Sequence, residues 1–332
     1  MTSPLDASLV SVCVPTYNGE RFLQEALDSA STQTLRNIEI LVVDDGSTDG
    51  TVARVEAHAA RDPRVRLLRN ERNLGLVGNW NRCLEVARGE WIKFLFQDDL
   101  LDPTCVARMV AAGSDERPFV VCGRRVIEGE GADEGVARYL REKPTLLGAT
   151  DAADLSPDEF SRLHGRDLHE NLIGEPPCVM LRRDVSERIG EFDPAFRQLC
   201  DLEYWLRAGA NFGVALVRED LAAFRAHGSS TTAGNRTRRV NVTDVDKVLL
   251  TRKVQSDPRF ARLRAALPPA ETRRKLVSVL SSLVREQAET HDATFAEALR
   301  TDGGLARTYG IVRRVRVPLL DGARRILRRT AG

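Results

Sequence analysis

Two adjacent carboxylates, Asp98 and Asp99, come right after the apolar and aromatic run Trp91 to Phe96, separated from it only by Gln97. The run is long enough for one buried strand and short for a helix. Asp102 then precedes Pro103, which reads as an N-cap with proline at the first helical position. The acids therefore sit on a turn between a strand's carboxyl end and a new helix, the edge where open α/β sheets bind ligands. Like charges side by side need a compensating cation or good solvation. The turn is either a divalent-metal site or a solvated acidic turn. A second acidic pair, Asp44-Asp45, ends another apolar run at Gly46-Ser47. Further on, Asp201 and Glu203 fall in the first turn of a predicted helix, where the helix N-terminus favours acids. Glu203 and Arg207 form a routine pair four residues apart. His227 closes Phe-Arg-Ala-His.

The elements that must place these groups alternate. Apolar runs at 9–14, 38–43, 65–69, 91–96 and 119–122 predict strands. Segments 20–33, 51–61, 79–88 and 103–112 carry helical spacing, and Gly89 is placed as the C′ residue of the third. Short connections predict right-handed crossovers and an α/β fold: a mostly parallel central sheet flanked by helices. The first strand-to-helix turn, Pro15-Thr16-Tyr17-Asn18-Gly19, has no G-x-G-x-x-G and no phosphate-loop lysine. Carboxylates that meet nucleotide phosphates without such a cradle need a metal to bridge like charges. From 128 to 167 the pattern loosens into a connection across the open face, with a short helix starting at Ser156. Strand 212–217 follows the helix at 199–208. Beyond about Asn235 aromatics almost vanish and the segments become amphipathic. This predicts a catalytic domain over 1–234 and a helical C-terminal region over 235–332.

The totals narrow the class. A charged fraction of 29% and a hydrophobic fraction of 42% over 332 residues fit a globular chain with a sizeable core. The net charge of +1 gives no global pull toward nucleic acid. Six scattered cysteines without a C-x-x-C pair fit buried, reduced thiols, and with no membrane-length apolar run the expected compartment is the cytoplasm.

Five ordered blocks carry a resemblance. They are Val-Cys-Val-Pro-Thr-Tyr-Asn at 12–18, Val-Val-Asp-Asp-Gly-Ser-Thr-Asp at 42–49, Asn73-Leu74-Gly75, Gln97-Asp98-Asp99, and Cys-Asp-Leu-Glu-Tyr-Trp-Leu-Arg at 200–207. Over roughly residues 9 to 232 the chain resembles the family 2 glycosyltransferases of the GT-A fold. The resemblance implies an inverting, metal-dependent transferase with a nucleotide-diphosphate sugar as donor, a UDP-sugar favoured. It implies a carbohydrate or lipid-linked acceptor, in surface polysaccharide or glycolipid synthesis. Pro15 and Tyr17 would flank the base and Asp45 would bond its edge; the plainer alternatives are a turn residue for Tyr17 and a turn cap for Asp45. Asn79 and Asn81 resemble amides lining the same cleft, or are polar positions on an exposed helix face. Asp98 would hold Mg²⁺ or Mn²⁺, while Phe96 stands where the family's first acid usually lies. Asp99 either supports the metal or caps the next helix. His227 resembles a late histidine near the metal, Asp201 the catalytic base, and Glu175 an acceptor contact. A sugar nucleotidyltransferase and a catalytically silent sugar-nucleotide or carbohydrate binder are the rivals. The arginine-rich tail from Tyr309 to Arg329 fits the inner face of an anionic membrane, a solvated helix face or a homodimer contact.

Overall fold

Apolar runs without alternation should be covered on both faces, and β1 (Val10–Thr16) is buried at every residue. The computed structural model of the chain describes residues 8–129, 131–228, 235, 240–286 and 288–314. After β1 come α1 (Leu23–Ser31), β2 (Ile38–Asp44), α2 (Thr51–Ala59), β3 (Val65–Arg69), α3 (Gly75–Val86) and β4 (Trp91–Phe94). Then follow β5 (Leu100–Leu101), α4 (Cys105–Ala112), β6 (Phe119–Glu128), α5 (Glu134–Glu142), α6 (Leu146–Ala149), β7 (Asp154–Leu155) and α7 (Pro157–His164). The sheet is completed by β8 (Val179–Arg182) and, after α8 (Arg183–Ile189) and α9 (Cys200–Phe212), by β9 (Val214–Ala226).

The strands lie in the order β3-β2-β1-β4-β8-β6-β9-β5, with β7 on β9. The ladders through β3, β2, β1 and β4 are parallel, as is the long β6–β9 ladder. By contrast β8 runs antiparallel between β4 and β6, and β5 and β7 run antiparallel to β9. The sheet is thus parallel on one side and mixed on the other. Nothing in a four-residue strand such as Val179–Arg182, with three apolar residues and an arginine, encodes its direction.

Several local expectations change. The α3 helix starts at Gly75 rather than at 79. Gly89 is not its C′ residue, since the helix ends at Ala87 in an extended conformation. Gly89 instead lets the backbone pass close to Leu9 and Ser11, where a Cβ would collide. The regular helix begins at Cys105 rather than at 103, while the Asp102 carboxylate accepts the Thr104 N–H at 2.9 Å in the turn ahead of it, a capping contact. The loose 128–167 stretch holds α5, α6 and α7, the last opened by a Ser156–Glu159 capping box.

The α9 helix is closed by Gly213 at φ +69, and an added Cβ there would meet the Leu155 carbonyl oxygen. Gly213→Ala is expected to lower stability by about 1–3 kcal/mol through strain and collision, read as a lower urea midpoint with an unchanged slope.

The C-terminal region is helical: α10 (Val242–Ser256), α11 (Ala261–Ala266), α12 (Pro269–Arg285), α13 (Ala288–His291), α14 (Ala293–Thr301) and helical residues at 303–314. Val245, Val248, Leu280, Leu283 and Phe295 build a second core, while Leu250 and Val254 of α10 join the main one. Several polar contacts cross between the parts, among them Lys253 to Asp193 and Glu203, and one gathers three backbone amides. Asp246 of α10 accepts the backbone N–H groups of Arg197, Gln198 and Leu199 at 2.9, 2.6 and 2.9 Å. These residues lead directly into α9. Most of the arginine-rich tail lies outside the described residues, and among the described ones no helix is long and apolar enough to cross a membrane. All six cysteines are free and buried.

Candidate active site

The acidic turn after β4 is held from three directions. Gln97 clasps the first loop: it accepts the Tyr17 N–H at 2.9 Å and donates to the Tyr17 carbonyl at 3.2 Å. Arg225 on β9 donates its Nε to the Asp98 carbonyl at 2.8 Å, and its backbone N–H to Asp99 Oδ1 at 2.8 Å. The same guanidinium reaches Glu25 at 2.7 Å and lies over the Phe22 ring. His227 Nε2 stands 2.8 Å from Asp98 Oδ2. Arg225 and His227 are two residues apart at the end of one strand, so they face the same way. Arg225 was not singled out from the sequence; that spacing is the signal that could have found it beside His227.

Asp98 keeps a partly exposed carboxylate, whereas Asp99 is 1% exposed. Asp99 neither caps the next helix nor presents an edge to solvent; it anchors the end of β9. Its other oxygen, Oδ2, is buried without a hydrogen bond. Burial first, and the Asp98 charge next, push its carboxyl well above the usual range. An orphaned carboxylate oxygen beside a second acid is what a missing cation or water leaves behind. Among the described residues no cluster of three or more His, Cys, Asp or Glu side chains can hold an ion. Asp98 and His227 nevertheless fit a cation whose other ligands are phosphate oxygens and water, since Mg²⁺ keeps several waters and takes one or two carboxylates.

On the other side of the first loop, Tyr17 is 49% exposed while Pro15 is buried in β1. Asp44 forms the turn expected of Asp45, accepting the N–H groups of Gly46 and Ser47. Asp45 instead caps α3 from across the cleft: it accepts from Leu74 N, Gly75 N and Asn70 Nδ2 at 2.8, 2.9 and 2.8 Å. Both helix-start amides are thereby satisfied. Asn79 is buried and donates to the Val43 carbonyl at 3.0 Å. Asn81 exchanges two hydrogen bonds with the Phe192 backbone at 2.9 Å. Their amides are therefore committed to the scaffold, so neither is a free group lining a cleft and Asn79 does not lie on an exposed face. Phe96, in the place of the expected first acid, packs on Trp80 with ring centroids 4.9 Å apart.

Asp201 lies in the first turn of α9 and keeps an edge open to solvent. Its Oδ2 accepts from Asn171 Nδ2 at 3.3 Å, and its Oδ1 from Leu202 N at 2.7 Å. Burial is the largest influence and pushes its carboxyl up to about 7; the Leu202 amide opposes this, the Glu175 charge adds to it and Lys143 opposes it. A carboxylate near neutrality, partly exposed, is suited to accept a proton. Glu175, expected as an acceptor contact, is caged by Arg124 and by Lys143 at 2.9 Å. Burial alone would raise its carboxyl, but Lys143 and Arg124 pull it below the usual range.

The sequence pattern of the family described as glycosyl transferase family 2 matches residues 11–190. The chain belongs to this family. That span takes in the first loop, the Asp44-Asp45 turn and the acidic turn at 97–99. Among curated family relatives and similar proteins, the Mycobacterium tuberculosis protein MT1568 is 34% identical over 260 residues, 78% of this chain and 80% of that protein. The putative glycosyltransferase EpsE of Bacillus subtilis is 30% identical over 230 residues, 65% of this chain and 75% of EpsE. Two solved structures share the fold at low identity. Staphylococcus aureus TarS 1-349 in complex with UDP-GlcNAc has a TM-score of 0.57 at 17% identity, covering 92% of this chain and 90% of that one. The mannosyltransferase PcManGT from Pyrobaculum calidifontis, with GDP-Man and Mn²⁺, has a TM-score of 0.57 at 19% identity, covering 98% and 89%. The chain is thus a family 2 glycosyltransferase with the expected GT-A fold.

Proposed function

We propose that this glycosyltransferase moves a sugar, with inversion, from a nucleotide-diphosphate donor, a UDP-sugar favoured, to the hydroxyl of a carbohydrate or lipid-linked acceptor. The setting is surface polysaccharide or glycolipid synthesis. The observation that carries the reading is Asp201, a helix-start carboxylate raised to about 7 with one edge open. Inverting transfer is one displacement. The acceptor oxygen bonds to the anomeric carbon as the bond from that carbon to the diphosphate oxygen breaks, and the electron pair leaves with the diphosphate. Asp201 accepts the acceptor's proton in that step, and Asn171 holds the carboxylate in place. Tyr17, exposed at the mouth of the first loop, offers an aromatic face to the base beside Pro15. Asp45 sets the loop at 70–75 that walls the same side. Asp98 and His227 would hold a divalent cation, which when bound would offset the charge gathering on the leaving diphosphate. The presence of UDP-GlcNAc with TarS and of GDP-Man and Mn²⁺ with PcManGT supports the donor class and the metal.

The test is donor hydrolysis and transfer with UDP-, GDP- and dTDP-sugars plus Mn²⁺, before and after chelation. Turnover with one donor that chelation removes and Mn²⁺ restores is the expected result. Metal-dependent donor binding without any turnover would replace the transferase reading with that of a silent binder. Asp98→Asn is expected to raise the Mn²⁺ concentration for half-maximal hydrolysis by at least about tenfold, read from a Mn²⁺ titration of both proteins.

A further inference from the structure

Between β6 and the α5–α6 segment the fold encloses a cavity of about 300 Å³, the lower end of small-molecule sites, which run roughly 300–1,000 Å³. Leu146, Leu147, Leu172 and Ile173 give it apolar wall. Thr145, Gly148 and Arg218 line it as well and are exposed, so it opens to solvent on that side. Its inner wall continues into the candidate base. Gly174 lines the cavity, and Asn171 donates both to the Gly174 carbonyl and to Asp201 Oδ2, at 3.2 and 3.3 Å.

The charge on this wall does not balance. The side chains of Arg124 and Lys143 are 7% and 6% exposed and share one carboxylate, that of Glu175, itself 14% exposed. The two remaining charged liners, Arg218 and Asp220, are exposed and offset each other at the solvent side. One buried positive charge is left in excess whenever Asp201, which feels both Glu175 and Lys143, holds its proton. An uncompensated buried charge is unfavourable, and an arriving anion relieves it. Lys143 has three donor protons and one carboxylate partner among the described residues, so it can meet a second oxygen without releasing Glu175.

The geometry points to this cavity as the acceptor subsite and to an anionic acceptor, a sugar ring bearing a carboxylate or a phosphate. The anion sits against Lys143 and Arg124, and the apolar face of the ring against Leu146 and Ile173. A hydroxyl of that ring is then presented toward Asp201. This inference rests on the transferase reading and adds the acceptor's chemical class to it.

The test titrates the full chain, without divalent metal, with methyl glucuronide, glucose 6-phosphate and the neutral methyl glucoside. At least one anionic probe is expected to bind at least about tenfold tighter than the glucoside, the margin of one added charge-assisted contact. Which one binds tighter separates a carboxylate from a phosphate. The margin should shrink as salt rises, because the cavity is open on one side, and should vanish in Lys143→Gln. Equal binding of all three by the wild-type chain overturns the inference, as does a margin indifferent to both salt and Lys143→Gln. The salt series needs no variant and decides the matter even if Lys143→Gln fails to fold. Donor hydrolysis by the wild-type chain is measured in parallel. Hydrolysis without an anionic preference sinks this inference alone, whereas a preference without hydrolysis or transfer leaves an anion-binding cavity and overturns both the transferase reading and the acceptor role.

Discussion

Asp201→Asn is expected to lower sugar transfer by about 10²–10⁴-fold, the usual worth of a positioned general base, while donor binding stays within a factor of about two or three. The amide cannot accept the acceptor's proton, and nothing in the Asp201 environment places it against the nucleotide. Loss of donor binding in parallel with turnover would remove Asp201 from the base role. The same substitution has an opposite effect on stability. Burial raises the folded-state carboxyl to about 7, so in the folded chain the proton is retained at pH values where the unfolded chain has lost it. Stability then falls as pH rises from about 4 to about 7, and the penalty is complete above that. Asparagine removes it. The variant is therefore expected to exceed the wild type by about 1–3 kcal/mol at pH 8, with no such gain at pH 4, read from urea unfolding at both values. Wild-type turnover should itself rise through pH 7 as the base ionises.

Glu203→Ala is expected to cost about 3–5 kcal/mol of folding stability, as breaking a buried pair does. The sequence presents Glu203 and Arg207 as an ordinary helix pair, but their side chains are 0% and 1% exposed. The pairing is two-pronged, Nε to Oε1 at 3.0 Å and Nη2 to Oε2 at 2.9 Å. Arg207 also donates to the carbonyls of Ile189 and Glu191, and Lys253 of α10 stands 3.2 Å from Glu203. Removing the carboxylate leaves the buried Arg207 without a carboxylate partner and facing Lys253, which keeps Asp193. Adding Arg207→Met to Glu203→Ala should recover part of the loss, since it removes one of those charges. A double variant as unstable as the sum of the singles would show that packing, not charge, sets the cost.

Strand and helix order was legible from β1 through β4 and at α4 because each of these elements carries its own apolar period, whereas the two-residue β5 carries none. The acids at 98 and 99 and the base candidate at 201 were legible because their types and positions at element ends are local facts. Their partners were not. Asp99 meets the Arg225 amide from 126 positions away, and no window of the sequence contains both. The turn cap considered for Asp45 fell to Asp44 for the same reason, since the start of α3, which Asp45 caps, lies some thirty positions along the chain. Asn79 and Asn81 have the composition of an exposed helix face, yet the strand carbonyl beneath one and the Phe192 backbone beside the other decide their work. The 128–167 stretch read as loose because α5 buries Ala137 alone and α6 is a single turn, so neither carries an apolar period long enough to read.

The three amides that Asp246 gathers ahead of α9 make inheritance of the two parts a joint matter. A helix outside the sugar-handling sheet fixes the entry of the helix that carries the base, so the parts cannot be exchanged like beads on a string. A chimera that keeps residues 1–234 and takes its C-terminal helices from a relative must also take, at the position of Asp246, an acceptor for the N–H groups of 197–199. Without one, the graft will change turnover before it changes any choice of partner. Among relatives that keep an acceptor at the position of Asp246, the segment 197–199 should therefore be free of proline, whatever its side chains.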